Sequence, residues 1–380
     1  MPDGSAERPA PLLLVVEPAP ADASFGSYSA VAAAGQGMLA AELSRRLGAQ
    51  GAAVARLPQQ PVRADFHWGA WFTAAARAAR REAESGSRPL DAIGYAGAGS
   101  AALLDVAELD LLLSPVAGEV VANNRFSADA FVVAGDLDAA LMALADCPTD
   151  NAAVRRLEAA GFRSRDLSTQ RWTRFDVDTP LDLALLRLAT RLPETRMLDG
   201  VVTAFLEMAQ LPVGGLEVPN LAAVGEVLRS RDGELVVAGR IPSSAWSYLE
   251  TETACRVRCF IEERGMRSAR DHTPRSLLAA WSERQGAADL VNQLASLGDA
   301  VILDTRVLMA SRAGSADAAA WPPAEERFAS DFLDRARSGD GWLAELVAAA
   351  AEASVPFMLG GHALVSDGLR IITDIAWQGR

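Results

Sequence analysis

Four short, largely apolar runs divide the first half of the chain at intervals, with polar residues and helix-like stretches between them. The runs occupy residues 12–16, 52–57, 91–96 and 130–134. A continuous apolar run of this length is typical of a strand buried on both faces, as in a parallel sheet. Residues 38–47 and 68–84 repeat their apolar positions at helical spacing. The pattern predicts an α/β fold, a mostly parallel sheet flanked by helices.

The second half of the chain repeats this alternation. Predicted strands occupy residues 234–238, 300–304 and 355–359. Predicted helices occupy residues 245–264, 324–337 and 342–353. In the first of these helices, Glu252 and Arg256 have the spacing of a helical ion pair, which favours a solvated helix face. We therefore predict a second α/β unit.

The periodic pattern weakens between the two halves, where prolines and glycines punctuate a short helix. A chain of 380 residues is long enough for two domains. We predict a first domain at 1–195, a linker at 196–217 and a second domain at 218–380.

Composition and charge narrow the classes of partner. Half of the residues are hydrophobic, and the formal net charge of −13 argues against nucleic acid and anionic membranes as partners. Every basic side chain other than histidine is arginine. The three cysteines make no disulfide framework, and residues 12–16 are too short for a signal or membrane segment. We expect a cytoplasmic protein and allow for a homo-oligomer.

The most informative stretch reads Arg-Phe-Asp-Val-Asp-Thr-Pro-Leu-Asp-Leu, at 174–183. Residues 175–177 predict a short strand. Thr179 is a predicted N-cap and Pro180 suits the first helical position. Asp182 then lies in the first turn, where the helix dipole favours a negative charge. Strand, cap and helix together explain every residue here without a function.

The same stretch resembles the D-[IV]-[DN]-T-P-x-D-L ending of MobA-like and CofC-like nucleotidyltransferases. The resemblance covers roughly the first half of the chain and implies a Rossmann-related fold that binds a nucleoside triphosphate. It also implies that Asp176 or Asp178 holds Mg²⁺. Upstream, 123–129 reads Asn-Asn-Arg-Phe-Ser-Ala-Asp and leads into a predicted strand. There the resemblance implies that Asn123 or Arg125 contacts the acceptor.

Two loops would hold the phosphates of that triphosphate. The resemblance assigns this role to Gly26, Ser27 and Ser29 after the first strand, and to Gly97, Gly99 and Ser100 after the third. Backbone N–H groups of such loops can form a concave anion site. A turn that merely reverses the chain explains the second loop equally well.

The chain departs from the family at two positions in these loops. Ser29 stands where the family has a catalytic lysine, and Ser100 where it has a metal-binding aspartate. A hydroxyl neither neutralises developing phosphate charge as an ammonium does nor binds Mg²⁺ as a carboxylate does. Both departures count against catalysis.

Polar groups also follow the predicted strands of the second half. Arg240 follows the first of them, Asp304 and Arg306 the second, and His362 the third. Ligands of open α/β sheets lie beyond the carboxyl ends of the strands, so these residues are a candidate pocket. Ordinary turn and cap residues are the alternative interpretation.

Three functions follow. The first is a Mg²⁺-dependent nucleotidyltransferase that moves a nucleotidyl group from a nucleoside triphosphate to a small phosphorylated acceptor. The second is a catalytically degenerate descendant that binds a nucleotide, a nucleotide-sugar-like molecule or a partner. The third is an unrelated activity in the second half.

Overall fold

The computed structural model describes residues 10–20, 26–60, 66–85, 90–168, 172–208, 215–266, 272–339 and 341–378. The chain forms two compact units. The first contains Met1–Ala21 and Ala33–Asp176, and the second contains Asp22–Ala32 and Val177–Arg380. Apart from the segment Asp22–Ala32, the units divide between Asp176 and Val177. The sequence pattern had instead placed the end of the first domain at residue 195.

The strands of the first unit are β1 (Leu12–Glu17), β2 (Ala53–Pro58), β3 (Ala92–Ala96), β4 (Glu119–Ala122), β5 (Ala130–Ala134) and β6 (Arg163–Asp166). Its helices are α1 (Tyr28–Ala49), α2 (Trp68–Ser85), α3 (Val106–Leu112), α4 (Leu137–Ala145) and α5 (Ala153–Ala159), with a 3₁₀ turn at Asp150–Ala152. The first residues of α1, up to Ala32, are assigned to the second unit.

The six strands of the first unit form one sheet in the order β2-β1-β3-β5-β4-β6. The pairs β1–β2, β1–β3 and β4–β6 are parallel, whereas β5 runs antiparallel to both of its neighbours. Both faces are covered. Leu12, Leu14 and Val16 belong to the core shared with α2 and α4, and Leu13 and Val15 belong to the core shared with α1. This coverage explains the continuous apolar runs.

The strands of the second unit are β7 (Glu234–Gly239), β8 (Arg256–Ile261), β9 (Ala300–Asp304) and β10 (Phe357–Gly360). Its helices are α6 (Pro180–Ala189), α7 (Asp199–Met208), α8 (Leu221–Arg229), α9 (Ser243–Glu252), α10 (Leu277–Gln285), α11 (Ala287–Ala295), α12 (Thr305–Ala313), α13 (Ala324–Asp331), α14 (Trp342–Glu352) and α15 (Asp367–Gln378). Two 3₁₀ turns lie at Pro193–Leu198 and Ala318–Ala320.

The second sheet has the order β10-β9-β7-β8, and all of its pairs are parallel. Val236, Val301 and Phe357 pack on one face with residues of α11 and α14. On the other side of this unit, α15 packs against α6, α8 and α9. The predicted α/β class is confirmed in both units.

Three local predictions are wrong. The predicted helix 245–264 is α9 followed by strand β8, which pairs in parallel register with β7 and whose Arg256 and Arg258 bond to Glu234. Residues 175–177 are loop, not strand. The helix predicted at residues 38–47 begins ten residues earlier, at Tyr28, and inside it the missing Cβ of Gly37 faces the Pro18 side chain.

Within the described ranges, every helix is too short or too polar to cross a membrane.

Candidate functional site

The carboxyl edge of the first sheet is where this fold would place a ligand. β1 has β2 on one side and β3 on the other, so the strand order reverses at the β1–β3 pair. Open α/β sheets bind ligands at such a switch point, beyond the carboxyl ends of the strands. Because β5 is antiparallel, the loop 123–129 that precedes it meets the carboxyl end of β3, where Ala96 is opposite Ala130. We call this surface the first edge.

The glycine loop after β3 is held by its own hydrogen bonds. The Gly97 N–H donates to the Asp129 carbonyl at 2.8 Å. Ser100 Oγ lies 2.8 Å from the Gly97 carbonyl and 3.0 Å from that of Asp129, and Ser100 is only 2% exposed. Gly99 has a φ of +82°, a conformation that glycine adopts without strain. The Ser100 hydroxyl thus ties two loops together at the position where the resemblance implied an aspartate.

Asn123 plays a similar structural part in the neighbouring loop. Its Nδ2 donates to the Thr173 carbonyl at 3.1 Å, and its Oδ1 accepts from the Ala130 N–H at 3.0 Å. The side chain is buried. Arg125 is more exposed, and its guanidinium pairs with Glu158 at 2.8 Å. Both predicted acceptor contacts therefore have partners within the first unit.

The two aspartates implied as Mg²⁺ ligands lie in loop. Asp176 is half-buried and Asp178 is exposed. The Asp178 N–H donates to Asp182 Oδ2 at 3.1 Å. Among the residues that the structure describes, no group of three or more histidine, cysteine, aspartate or glutamate side chains is arranged to hold a metal ion. The described donors do not form the site that the resemblance implies, so Mg²⁺ stays a prediction.

The predicted phosphate loop at Gly26, Ser27 and Ser29 belongs to the second unit, where a carboxylate is bonded to its amides. The N–H groups of Tyr28 and Ser29 donate to the two oxygens of Glu325, each at 2.9 Å. Ser27 Oγ accepts from the Ala30 N–H at 3.1 Å, as an N-cap does.

Arg337 completes this arrangement, because its Nη1 donates to the Gly26 carbonyl at 3.0 Å. Both the amides of Tyr28 and Ser29 and the carbonyl of Gly26 are thus bonded to side chains of the second unit.

The carboxyl edge of the second sheet, which we call the second edge, brings the other predicted residues together. The strand order reverses between β7 and β9. Arg240 follows β7 and pairs with Asp304 at the end of β9, with Nε–Oδ2 at 2.6 Å and Nη2–Oδ1 at 3.1 Å. The Arg306 N–H donates to the same carboxylate at 3.1 Å. Burial would raise the pKa of Asp304, but Arg240, His362 and Arg306 together lower it below its usual value.

A glycine makes this pairing possible. Gly239 ends β7 with a φ of +127°, and a Cβ there would lie 2.3 Å from the Cβ of Asp304. Only glycine therefore allows β7 to pass this close to the buried Asp304 side chain.

The second edge also contains two buried carboxyls that sequence reasoning missed. Arg306 is buried and pairs with Asp331 through two hydrogen bonds, one of them 2.6 Å from Nη2 to Oδ2. Burial raises the pKa of Asp331 to about 6, against the opposing effect of Arg306. Burial also raises the pKa of Asp182 to about 7, and the Asp178 carboxylate adds to that rise.

Neither carboxyl was detectable as part of a charge network. The capping pattern identified Asp182 only as a first-turn acid, and Asp331 stands in an ordinary polar helix sequence.

Comparison of the chain with protein-family models, with curated proteins and with solved structures finds no match. The nucleotidyltransferase resemblance therefore rests on the motif residues.

Proposed function

We propose that this chain is a nucleotide-binding protein whose first unit is nucleotidyltransferase-like. A nucleoside triphosphate or a nucleotide-sugar-like molecule would bind at the first edge. The observation that carries the proposal is the strand order β2-β1-β3-β5-β4-β6 with β5 alone antiparallel. This order brings the loops after β3 and β4 to the switch point where mononucleotides bind in related sheets.

The contacts of the two substituted serines favour binding over nucleotidyl transfer. The Ser100 hydroxyl is bonded to backbone carbonyls, so it is poorly placed to replace a metal-binding carboxylate. The Ser29 N–H is bonded to Glu325, and a serine side chain supplies no positive charge for a developing phosphate oxyanion. We infer that the protein binds the nucleotide and does not transfer it.

Calorimetric titration of the full chain with nucleoside triphosphates, with and without Mg²⁺, tests this proposal. We expect saturable binding that Mg²⁺ changes little, and no pyrophosphate release when a small phosphorylated acceptor is added. Asp176→Ala and Asp178→Ala should then bind like the exposed control Asp110→Ala. Absence of binding would refute the proposal.

The opposite result would restore the full enzymatic function. If binding requires Mg²⁺, is lost in both aspartate variants and leads to pyrophosphate release, the chain is a nucleotidyltransferase and the two serines are tolerated.

A second candidate function belongs to the second edge. The convergence of Arg240, Asp304 and Arg306 at the β7–β9 reversal favours it, because the residues come from two separate strand ends. His362 is exposed and acts electrostatically on Asp304. A small polar ligand that contacts His362 would suit this edge, because both arginines are already paired with Asp304 and Asp331. Loss of its binding in His362→Ala, with nucleotide binding unchanged, would support this separate function.

A further inference from the structure

Phe126 is an exposed aromatic side chain in the loop of the first edge. It is 61% exposed. Single exposed apolar residues are common on protein surfaces and need no function. Phe126 differs because its loop adjoins the glycine turn after β3, through the hydrogen bonds of Asp129 with Gly97 and Ser100.

The loop that carries Phe126 is fixed by specific hydrogen bonds. The Phe126 N–H donates to Asn124 Oδ1 at 3.1 Å. On its other side, Ser127 Oγ donates to Asn151 Oδ1 at 2.6 Å. Asn123 anchors the base of the loop to Ala130 and to Thr173, as described above. A ring on such a loop loses little conformational entropy when a ligand packs on it, because the backbone is already ordered.

The Arg125 guanidinium also packs on the Phe126 ring. The guanidinium carbon of Arg125 lies over it, 5.5 Å from the centroid, at a distance typical of a cation–π contact. Arg125 is in turn fixed by Glu158, with contacts of 2.8 and 3.0 Å. The Glu158 carboxylate offsets the charge of the Arg125 guanidinium, so the pair attracts an anion only weakly. A flat, apolar ligand surface suits the Phe126 ring better.

We propose that Phe126 is the stacking platform for the base of the nucleotide bound at the first edge. The proposal rests on the proposed function and adds its ligand class, an aromatic heterocycle. Stacking on one ring discriminates weakly between bases, because every base has a π face. The platform would therefore accept purines and pyrimidines and contribute affinity more than specificity.

The test compares Phe126→Ala with the wild-type full chain, using a nucleoside triphosphate and inorganic tripolyphosphate as probes. We expect the variant to bind the nucleoside triphosphate about tenfold more weakly, within the range for loss of one stacked base. Its affinity for tripolyphosphate, which has no base, should not change.

Two further variants separate the aromatic ring from apolar bulk and from general effects. Phe126→Leu keeps an apolar side chain without a π face and should lose affinity like the alanine variant, whereas Phe126→Trp should retain it. Val116→Ala is the matched surface control, since Val116 is 53% exposed and precedes β4 at the opposite end of that strand. It should bind like wild type.

The outcomes distinguish this inference from the proposed function. If wild type binds the nucleoside triphosphate and Phe126→Ala binds it equally well, stacking is wrong and the proposed function stands. If Phe126→Ala weakens both probes alike, the residue shapes the loop and stacking is again wrong. If wild type binds no nucleotide, both proposals fail.

Discussion

The two carboxyl edges of this chain use their polar residues in opposite ways. At the first edge, Ser100 and Asn123 bond to backbone groups and so fix the shape of two loops. At the second edge, Arg240 with Asp304 and Arg306 with Asp331 bond to each other as ion pairs. At the first edge, backbone groups and the exposed Phe126 ring are available to a ligand. At the second edge, the charged side chains are paired with one another and largely buried. Both edges lie where open α/β sheets bind ligands.

The two kinds of contact differ in the free energy that it costs to bury them. A hydrogen bond between a neutral side chain and the backbone costs little to bury, whereas an ion pair taken out of water must recover a large desolvation penalty. Both partners of the Arg306–Asp331 pair are buried. The second edge should therefore respond strongly to the loss of one charged partner, and the first edge only weakly.

The largest expected effect is that of Arg306→Ala. It leaves the Asp331 carboxylate buried without its partner, so we expect the free energy of unfolding to fall by about 3–5 kcal/mol. Arg335→Ala removes an arginine whose pair with Glu352 is exposed, and should cost about 0.5 kcal/mol or less. Urea unfolding measures both. Equal costs for the two variants would show that the Arg306–Asp331 pair is not a buried structural interaction.

Gly239→Ala comes next. The new Cβ would collide with the buried Asp304 side chain in a backbone conformation that alanine rarely adopts. Strain and overpacking together should cost about 3 kcal/mol. Gly314→Ala is the control, since Gly314 also has a positive φ, of +61°, but open space around its Cα. It should cost about 1 kcal/mol. A Gly239→Ala cost no larger than the control would mean that β7 can move away from Asp304.

The pH dependence of stability should reveal Asp182. Its folded-state pKa, about 7, lies above that of an unfolded aspartate, so the folded chain binds the proton more tightly. The stabilisation is complete below the unfolded pKa and is lost as pH rises through about 7. We expect a loss of about 2 kcal/mol between about pH 5 and about pH 7.

Two variants isolate that effect in urea unfolding at a series of pH values. Asp182→Asn keeps an acceptor for the Thr179 N–H and should make the pH dependence shallower. Asp110→Asn, at an exposed position, should leave it unchanged. An unaltered slope in Asp182→Asn would place the titrating group elsewhere.

The smallest effect concerns Glu325. Glu325→Ala frees the Tyr28 and Ser29 amides at the start of α1 and should cost about 1 kcal/mol, as loss of a helix cap does. Glu326→Ala is the matched control. Glu326 is the neighbouring acid in the first turn of α13, and the Tyr28 and Ser29 amides bond to Glu325 instead. Thermal unfolding of the two variants separates the contributions. Identical melting temperatures would show that the carboxylate adds nothing to α1.

Much of the fold follows from the sequence because the central strands of both sheets are buried on both faces. Continuous apolar runs identified β1, β3, β5, β7 and β9 to within about one residue. The runs could not give the antiparallel direction of β5, since a strand buried on both faces reads the same either way. Helix α6 was also predictable, because Thr179 and Asp182 form a local capping box and Pro180 occupies the first helical position.

The errors arose where tertiary contacts override local preference. Glu252 and Arg256 have the spacing of a helical ion pair, yet residues 256–261 form β8, which pairs in register with β7 and whose Arg256 and Arg258 bond to Glu234. The apolar spacing predicted a helix only from residue 38, but an alanine-rich segment extends α1 back through Gly37 and Gly35 to Tyr28.

The proximity of some candidate residues was predictable, but their hydrogen-bond partners were not. Arg240, Asp304 and Arg306 follow strands whose carboxyl ends share an edge, and in the structure they contact one another. That this edge is a pocket stays a prediction. Glu325 bonds to amides nearly three hundred residues earlier in the chain, and no local pattern signals such a contact. Phe126 stands in a polar loop, where exposure of an aromatic residue becomes visible only in three dimensions.

Amide hydrogen exchange of the full chain, with and without a saturating nucleoside triphosphate, tests the central claim most directly. If the nucleotide binds at the first edge, exchange should slow in residues 97–100 and 123–129 and stay unchanged around Arg240, Asp304 and His362. Slowing confined to those second-edge residues, or no slowing anywhere, would contradict the account.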